Sequence, residues 1–313
     1  MKTDYDLVIV GGGPAGLTAG IYAVRAGLEV VLVEEKLPGG QPMGTENIEN
    51  FPGFPEGVGG QELMERFRLQ AERLGLEMRT FDPVNSIEEA GGIKTVHADE
   101  GDITAIAVVF ATGHAPAPLG VPGEAAFLGR GVSYCATCDG AFYKDKTVIV
   151  VGGGNAAVEE AVFLTRFAKK VYVVHRRDRL RAAQAEQDKA FAQPRIEFVW
   201  NAEVREVLGD GKVNGARIKD VRTGEERTIE TDGIFLYVGS APSTGSVKGM
   251  VELDERGYIV TGQDLQTSRA GIFAAGDVRS GSVKQVITAS AEGALAAMRA
   301  QAYVEKLKGT AYE

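Results

Sequence analysis

Cysteine and histidine are scarce in this chain: two and three residues among 313. Two cysteines cannot build the disulfide framework of a small secreted domain, and a chain this long can bury a core without one. A structural zinc site needs four ligands. His97, His114 and His175 form no second close pair to complete a set with Cys135 and Cys138. A surplus of positive charge is also missing. The 34 Lys and Arg stand against 43 Asp and Glu, for a net charge of −9, which argues against a general nucleic-acid binder. No stretch approaches the ~18 apolar residues of a membrane span; the best is Ile103–Ala111. The polar start, Met-Lys-Thr-Asp-Tyr-Asp, does not read as a signal peptide, so a cytoplasmic protein is expected. Glycine, by contrast, is abundant: 41 residues, nearly twice the roughly 7% typical of globular chains. Such a surplus implies many tight turns or close backbone approaches.

The glycines mark an internal repeat. Residues 4–16 read DYDLVIVGGGPAG and residues 145–157 read DKTVIVVGGGNAA. Each begins polar, runs through β-branched residues and ends in a glycine turn before a helical pattern. Apolar runs of this kind are buried parallel strands, here Leu7–Val10 and Val148–Val151. Helices are expected over Pro14–Ala26 and Asn155–Phe167, with Pro14 where its missing N–H costs nothing. Second strands follow at Glu29–Glu34 and Lys170–His175, so each copy is a βαβ unit. A helix is expected over Gln61–Leu74, strands at Ile103–Phe110 and Ile272–Ala275, several short strands within 196–238, and a long helix within Val283–Lys308. Pro-rich stretches at 115–123 and near Pro242 bracket the second unit. The expected fold is α/β, with two Rossmann-like, three-layer dinucleotide-binding domains. One, 117–245, is inserted into the other, 1–116 with 246–313, and the two crossings form a hinge.

The two repeats point to different nucleotides. Gly11-x-Gly13-x-x-Gly16, with Pro14 and Ala15 inside it, lies between a strand and a helix. In that context the glycines permit the turn and let a pyrophosphate reach the helix N-terminus. Glu34 stands where an acidic residue binds a ribose hydroxyl, and it would repel a 2′-phosphate. This site suits FAD or NAD. The second loop is Gly152-x-Gly154-x-x-Ala157, enclosing Asn155 and Ala156. At the register of Glu34 it has His175, followed by Arg176, Arg177, Arg179 and Arg181. Arginine forks grip a 2′-phosphate through charge-assisted bonds of roughly 1.5–3 kcal/mol each, so two or three favour NADPH over NADH by about a hundredfold or more.

Cys135-Ala-Thr-Cys138 holds both cysteines, and CxxC in an α/β context reads as redox. Asp139, next in line, suits a general acid protonating a leaving thiolate or a flavin-derived anion; a helix-cap or turn aspartate is the other reading. A hydride does not pass cleanly from nicotinamide to a disulfide. A flavin is the usual mediator, and the dithiol then exchanges with an external disulfide.

These segments together resemble the low-molecular-weight thioredoxin reductases of the pyridine nucleotide-disulfide oxidoreductase family, over nearly the whole chain. The resemblance is carried by GGGPAGLTAGIYAVRAG (11–27), GGQ (39–41), ENFPGF (49–54), ATG (111–113), CATCDGAF (135–142), GGGNAAVEEA (152–161), HRRDRLRA (175–182), GIFAAGDV (271–278) and KQVITASAEG (284–293). It implies FAD in the domain built from both chain ends, NADPH in the inserted one, thioredoxin as the disulfide partner, and a homodimer. It places Gly40, Gln41 and Asn50 near the flavin, Asp277 on its ribityl or pyrophosphate region, and Lys284, Gln285 and Val286 by the isoalloxazine. Glu35, Val84, Ala111, Thr112, Gly113 and Gly276 join the expected cofactor contacts. Cys138 is implied to face the flavin, Cys135 to attack the partner disulfide, and Asp139 to be the acid. A large domain rotation is implied too, because CxxC and nicotinamide must take turns at the flavin. The sequence departs from the family at Asn155-Ala156, where Asp-Ser is usual, at Ser240-Ala-Pro-Ser243, at His114-Ala-Pro116 and at Lys284. The alternatives are a related reductase drawing on ferredoxin or NADH, one with another dithiol partner, or a dinucleotide-sensing protein without turnover.

Overall fold

The structure, a computed structural model, describes residues 2–45 and 47–311. The chain divides into two compact units, Met1–Ala115 with Ala241–Glu313, and Pro116–Ser240. Among the described residues no helix is long and apolar enough to cross a membrane.

The first unit opens with β1 (Tyr5–Val10), α1 (Pro14–Arg25) and β2 (Val30–Glu34). Then come α2 (Gly60–Arg73), β3 (Glu77–Thr80), β4 (Val84–Ala90), β5 (Ile93–Ala98) and β6 (Gly101–Phe110). β1 lies between β2 and β6, parallel to both, and β3 extends the sheet beyond β2. The hairpin β4–β5 lies antiparallel along the first half of β6. Alternation along β1 feeds two cores. Leu7 and Ile9 pack with Leu17 and Ile21 of α1, while Val8 and Val10 pack with Ile87 and Val96 of the hairpin. The sheet is thus covered on both faces, as a mostly parallel sheet requires.

β7 (His114–Pro116) leads to the second unit, which runs through β8 (Val132–Ser133), α3 (Ala136–Asp139), β9 (Thr147–Gly152), α4 (Asn155–Leu164), β10 (Lys170–Val174), α5 (Gln184–Phe191) and β11 (Ile196–Val199). β12 (Ala202–Asp210), β13 (Lys212–Asp220) and β14 (Glu226–Glu230) form an antiparallel meander, followed by β15 (Gly233–Tyr237). The parallel strands take the order β11-β10-β9-β15-β8. Val148, Val150 and Phe235 face α4, whereas Ile149, Val151 and Ile234 face Val204, Val213 and Ile218 of the meander. The unit is therefore a helix–sheet–sheet stack. α4 stops at Leu164 instead of reaching Phe167, because Thr165, Arg166 and Phe167 bond three residues back, and the Thr165 hydroxyl occupies the Val162 carbonyl.

β16 (Ser240–Pro242) pairs with β7 where the chain crosses back. Residues 241–245 fall in the first unit, earlier than the composition shift suggests. There the Ser243 N–H donates to the Gly113 carbonyl and the Thr112 hydroxyl donates to the Ser243 carbonyl. The chain finishes with β17 (Ile272–Ala274), parallel to the end of β6, and α6 (Val286–Lys308). α6 crosses α1 so closely that a Cβ on Gly293 would lie 2.1 Å from the Ala15 carbonyl oxygen. Elsewhere in a helix, Gly→Ala stabilises by up to about 1 kcal/mol. Here Gly293→Ala is expected to lower stability by about 1–3 kcal/mol through overpacking. A thermal melt tests this, and an unchanged or raised midpoint would contradict the close crossing.

Candidate active site

The first glycine loop joins β1 to α1. Gly13 caps the helix in extended backbone, and no side chain caps it. A Cβ on Gly16 would fall 1.8 Å from the Gly11 carbonyl oxygen, so only glycine lets the helix start this tightly against the strand. In front of Gly13 the space is open, with only Gly40 Cα within 4 Å of where a Cβ would stand. Glu34 ends β2 and aims at the loop: its Oε2 accepts the Gly12 N–H at 2.6 Å and its Oε1 the Lys36 N–H at 3.0 Å. Ala111 closes the other side through its N–H to the Val10 carbonyl. Glu35 is exposed and paired with Lys36, and Val84 stands half-buried at the start of β4. The structure thus gathers Gly11–Gly16, Glu34 and Ala111, with Glu35 and Val84 at the margin.

A second cluster in the same unit surrounds Asp277, in the turn after β17. Its Oδ2 is 3.1 Å from His114 Nδ1. Its Oδ1 is buried with no hydrogen-bond partner. A buried carboxylate oxygen without a donor is costly, so this atom calls for a donor from outside the chain. Gln41 donates to the His114 carbonyl, and the Asn50 amide donates to Gln285 Oε1 at 2.9 Å. Lys284 donates to the Tyr258 hydroxyl at 2.8 Å, and Val286 begins α6. The neighbouring Gly276 N–H is held by Glu292, itself gripped at 2.8 Å by two Arg279 nitrogens. A groove of about 380 Å³ runs along Glu49–Pro55, past Asn50.

In the second unit, the loop between β9 and α4 repeats the design with a basic rim. Gly154 caps α4 without side-chain help. Asn155 Oδ1 accepts the Ala183 N–H, and the Arg181 N–H donates to the Gly153 carbonyl, both at 2.7 Å. These bonds hold the arginine segment beside the loop. Arg176, Arg177 and Arg181 are exposed, as are Asn155 and Ala156, while Ala157 is buried in the strand–helix contact. His175 differs from its neighbours. It is buried, and its ring fills the space a side chain on Gly153 would need. Burial, and then the Arg181, Arg177 and Arg176 charges, hold its pKa below the usual histidine range. The imidazole is therefore neutral near pH 7, and the cationic rim is made by the arginines.

Cys135 and Cys138 are joined as a disulfide, with the sulfurs 2.08 Å apart. Cys135 caps α3, and its Sγ accepts the Cys138 N–H at 3.2 Å. Cys138 is exposed and Cys135 half-buried. Asp139 is half-buried, its N–H donates to the Cys135 carbonyl, and its charge acts on Tyr143 and Tyr237. Tyr237 also accepts the Ala136 N–H at 2.9 Å. Neither Tyr237 nor the partnership of His114 with Asp277 is legible in the sequence, because each contact joins residues about a hundred or more positions apart.

Two glycine loops, one acid-rimmed and one base-rimmed, with a CxxC disulfide, define a dinucleotide-linked disulfide oxidoreductase. The family model described as pyridine nucleotide-disulphide oxidoreductase matches residues 5–293, and the chain belongs to that family. It is 45% identical to the thioredoxin reductase of Listeria monocytogenes over 97% of this chain and 95% of that one. Among solved structures it is similar to the thioredoxin reductase of Lactococcus lactis (FR conformation), at TM-score 0.94 and 41% identity over 97% of this chain and all of that one. It is also similar to that of T. acidophilum, at TM-score 0.92 and 37% identity over 98% of this chain and all of that one.

Proposed function

We propose that this chain is an NADPH-dependent, FAD-mediated thioredoxin reductase. The observation that carries the reading is the Cys135–Cys138 disulfide in the same unit as a glycine loop rimmed by exposed Arg176, Arg177 and Arg181. The near-complete match to proteins named thioredoxin reductase supports thioredoxin as the disulfide substrate.

The residues of the first unit fit FAD. The donor-free, buried Asp277 Oδ1 suits a hydroxyl, and the open approach at Gly13 suits a pyrophosphate. Gly11, Gly13, Pro14, Ala15 and Gly16 would hold the pyrophosphate at the α1 N-terminus. Glu34 would take a ribose hydroxyl, with Glu35 and Val84 beside it. Gly40, Gln41, Asn50, Lys284, Gln285 and Val286 would surround the ring, and Ala111, Thr112, Gly113 and Gly276 would complete the walls. Bound FAD supplies the conversion of hydride chemistry into thiol chemistry. In the second unit, Gly152, Gly154, Asn155, Ala156 and Ala157 would take the NADPH pyrophosphate, and the arginines its 2′-phosphate. His175 would support that loop from beneath.

The sulfur chemistry belongs to the chain itself. NADPH gives two electrons, the Cys135–Cys138 bond breaks, and two thiols form. The Cys138 N–H stabilises a thiolate at Cys135, which favours Cys135 as the sulfur that attacks the thioredoxin disulfide. Cys138 then closes on Cys135, restoring the disulfide and releasing reduced thioredoxin, with Asp139 as the acid for the departing thiolate. Steady-state reduction of thioredoxin by NADPH, NADH and reduced ferredoxin, side by side, tests the reading. Turnover with ferredoxin or NADH alone would reject it.

The protein is proposed to work in the cytoplasm as a homodimer. Ile287, Leu295 and Met298 are exposed on one face of α6, an apolar strip suited to a second copy. Leu295→Glu with Met298→Glu is expected to convert a dimer to a monomer in sedimentation velocity. A wild-type protein that sediments as a monomer would contradict this.

A further inference from the structure

Tyr237 is the last residue of β15 and stands opposite Gly152 in the pairing with β9. The sheet fixes its backbone, and from there the phenol reaches α3. Its oxygen accepts the Ala136 N–H at 2.9 Å. Ala136 is fully buried and directly follows Cys135. From the other side Ser133 clamps the Cys135 main chain, accepting its N–H at 3.0 Å and donating to its carbonyl at 3.2 Å. Burial, and then the Glu160 and Asp139 carboxylates, push the phenol's pKa well above the tyrosine range. It is a neutral hydroxyl at any working pH. The amides of the turn are thus divided: the Cys138 N–H points at Cys135 Sγ, and the phenol keeps the Ala136 N–H away from it.

Resting on the reading of Cys135–Cys138 as a redox pair, we propose that Tyr237 is a positioning residue that sets the equilibrium between its disulfide and dithiol forms. Reduction takes two electrons and two protons, breaks one S–S bond and leaves two thiols, one of which can shed its proton as a thiolate. While the phenol is present, the Ala136 amide has an acceptor in both states. Without the hydroxyl, that buried amide has no partner in the disulfide form and gains one, the Cys135 thiolate, only after reduction. The freed turn also relaxes more in the open form than in the closed one. Both effects favour the dithiol. One neutral hydrogen bond corresponds to a shift of about fivefold, or about 20 mV for a two-electron couple.

The test uses the full-length, FAD-loaded protein as wild type, Tyr237→Phe and Ala136→Pro. Ala136→Pro removes the same bond from the donor side. Proline is tolerated at a first helical position, and the Cys135 backbone, at φ −143° and ψ 101°, is of the kind that precedes proline. Each protein is equilibrated without oxygen against graded ratios of reduced and oxidised dithiothreitol. The state of the pair is read by thiol alkylation and mass spectrometry, and the melting midpoint is measured alongside. Tyr237→Phe is expected to move about fivefold toward the dithiol, with Cys135 alkylation beginning at lower pH, whereas Ala136→Pro, with no amide to offer the thiolate, is expected to keep the wild-type alkylation onset. A folded Tyr237→Phe with the wild-type equilibrium, whatever its melting point, overturns the proposal. If Tyr237→Phe does not fold, Ala136→Pro decides: Cys135 alkylation beginning at lower pH in that variant overturns the proposal. A wild-type pair that no dithiothreitol ratio reduces would instead overturn the redox reading itself.

Discussion

Cys135→Ser is expected to leave the flavin reducible by NADPH while thioredoxin turnover falls by roughly 10³-fold or more, the scale seen when a covalent nucleophile is removed. The two effects separate because the nucleotide loop and the sulfur chemistry use different residues. The glycine loop at 152–154 and the arginines near it do not involve the cysteines in their hydrogen bonds, whereas Cys138, left without Cys135, has no partner sulfur with which to close a disulfide and release reduced thioredoxin. Serine keeps the Ser133 clamp on the main chain and retains an oxygen that can accept the Cys138 N–H, so loss of turnover cannot be traced to an unfolded turn. Stopped-flow absorbance and a thioredoxin-coupled assay on the same preparation make the comparison. Unchanged turnover would show that Cys135 is not the sulfur that attacks thioredoxin, and a wild-type protein without turnover would favour a sensing protein over a reductase.

The second large effect concerns nucleotide choice. Arg176→Ala with Arg177→Ala is expected to raise the KM for NADPH about a hundredfold or more and to change that for NADH little. Two charge-assisted bonds of roughly 1.5–3 kcal/mol each are lost on the phosphorylated coenzyme only. Both guanidinium groups are exposed, and among the described residues neither is held by a carboxylate, so they are available to an incoming phosphate. Rising salt is expected to shrink the wild-type preference, because exposed charges are screened. His175 contributes no charge to the preference near pH 7, since burial and the arginines keep it neutral. Equal effects of the double substitution on both coenzymes would remove the phosphate grip from the account.

What the sequence makes legible is local and periodic. Leu7–Val10 and Val148–Val151 become strands because apolar β-branched runs between polar ends are stable only when buried on both faces. Both glycine turns lie between a strand and a helix for the same reason in each repeat. The hairpin β4–β5 is hidden, because its first strand carries exposed Glu88 and Glu89 on successive positions and so breaks the alternation, and its burial depends on Val251 and Ile259 from far along the chain. α3 is four residues long and has no periodicity to read. The pairing of His114 with Asp277, and the reach of Tyr237 to Ala136, are products of sheet register, which fixes distant residues together only once the strands have paired. The sequence pattern nominates Gly154, Arg176 and Cys135, whereas the groups that aim and hold them emerge from packing.

The most direct measurement is an anaerobic titration of the purified protein with NADPH, following absorbance and counting thiols at Cys135 and Cys138 in the same samples. The account predicts a yellow protein whose flavin band bleaches and whose two cysteines become alkylatable together, two per chain. A protein without a flavin band, or one whose flavin bleaches while the sulfurs stay joined, would contradict it.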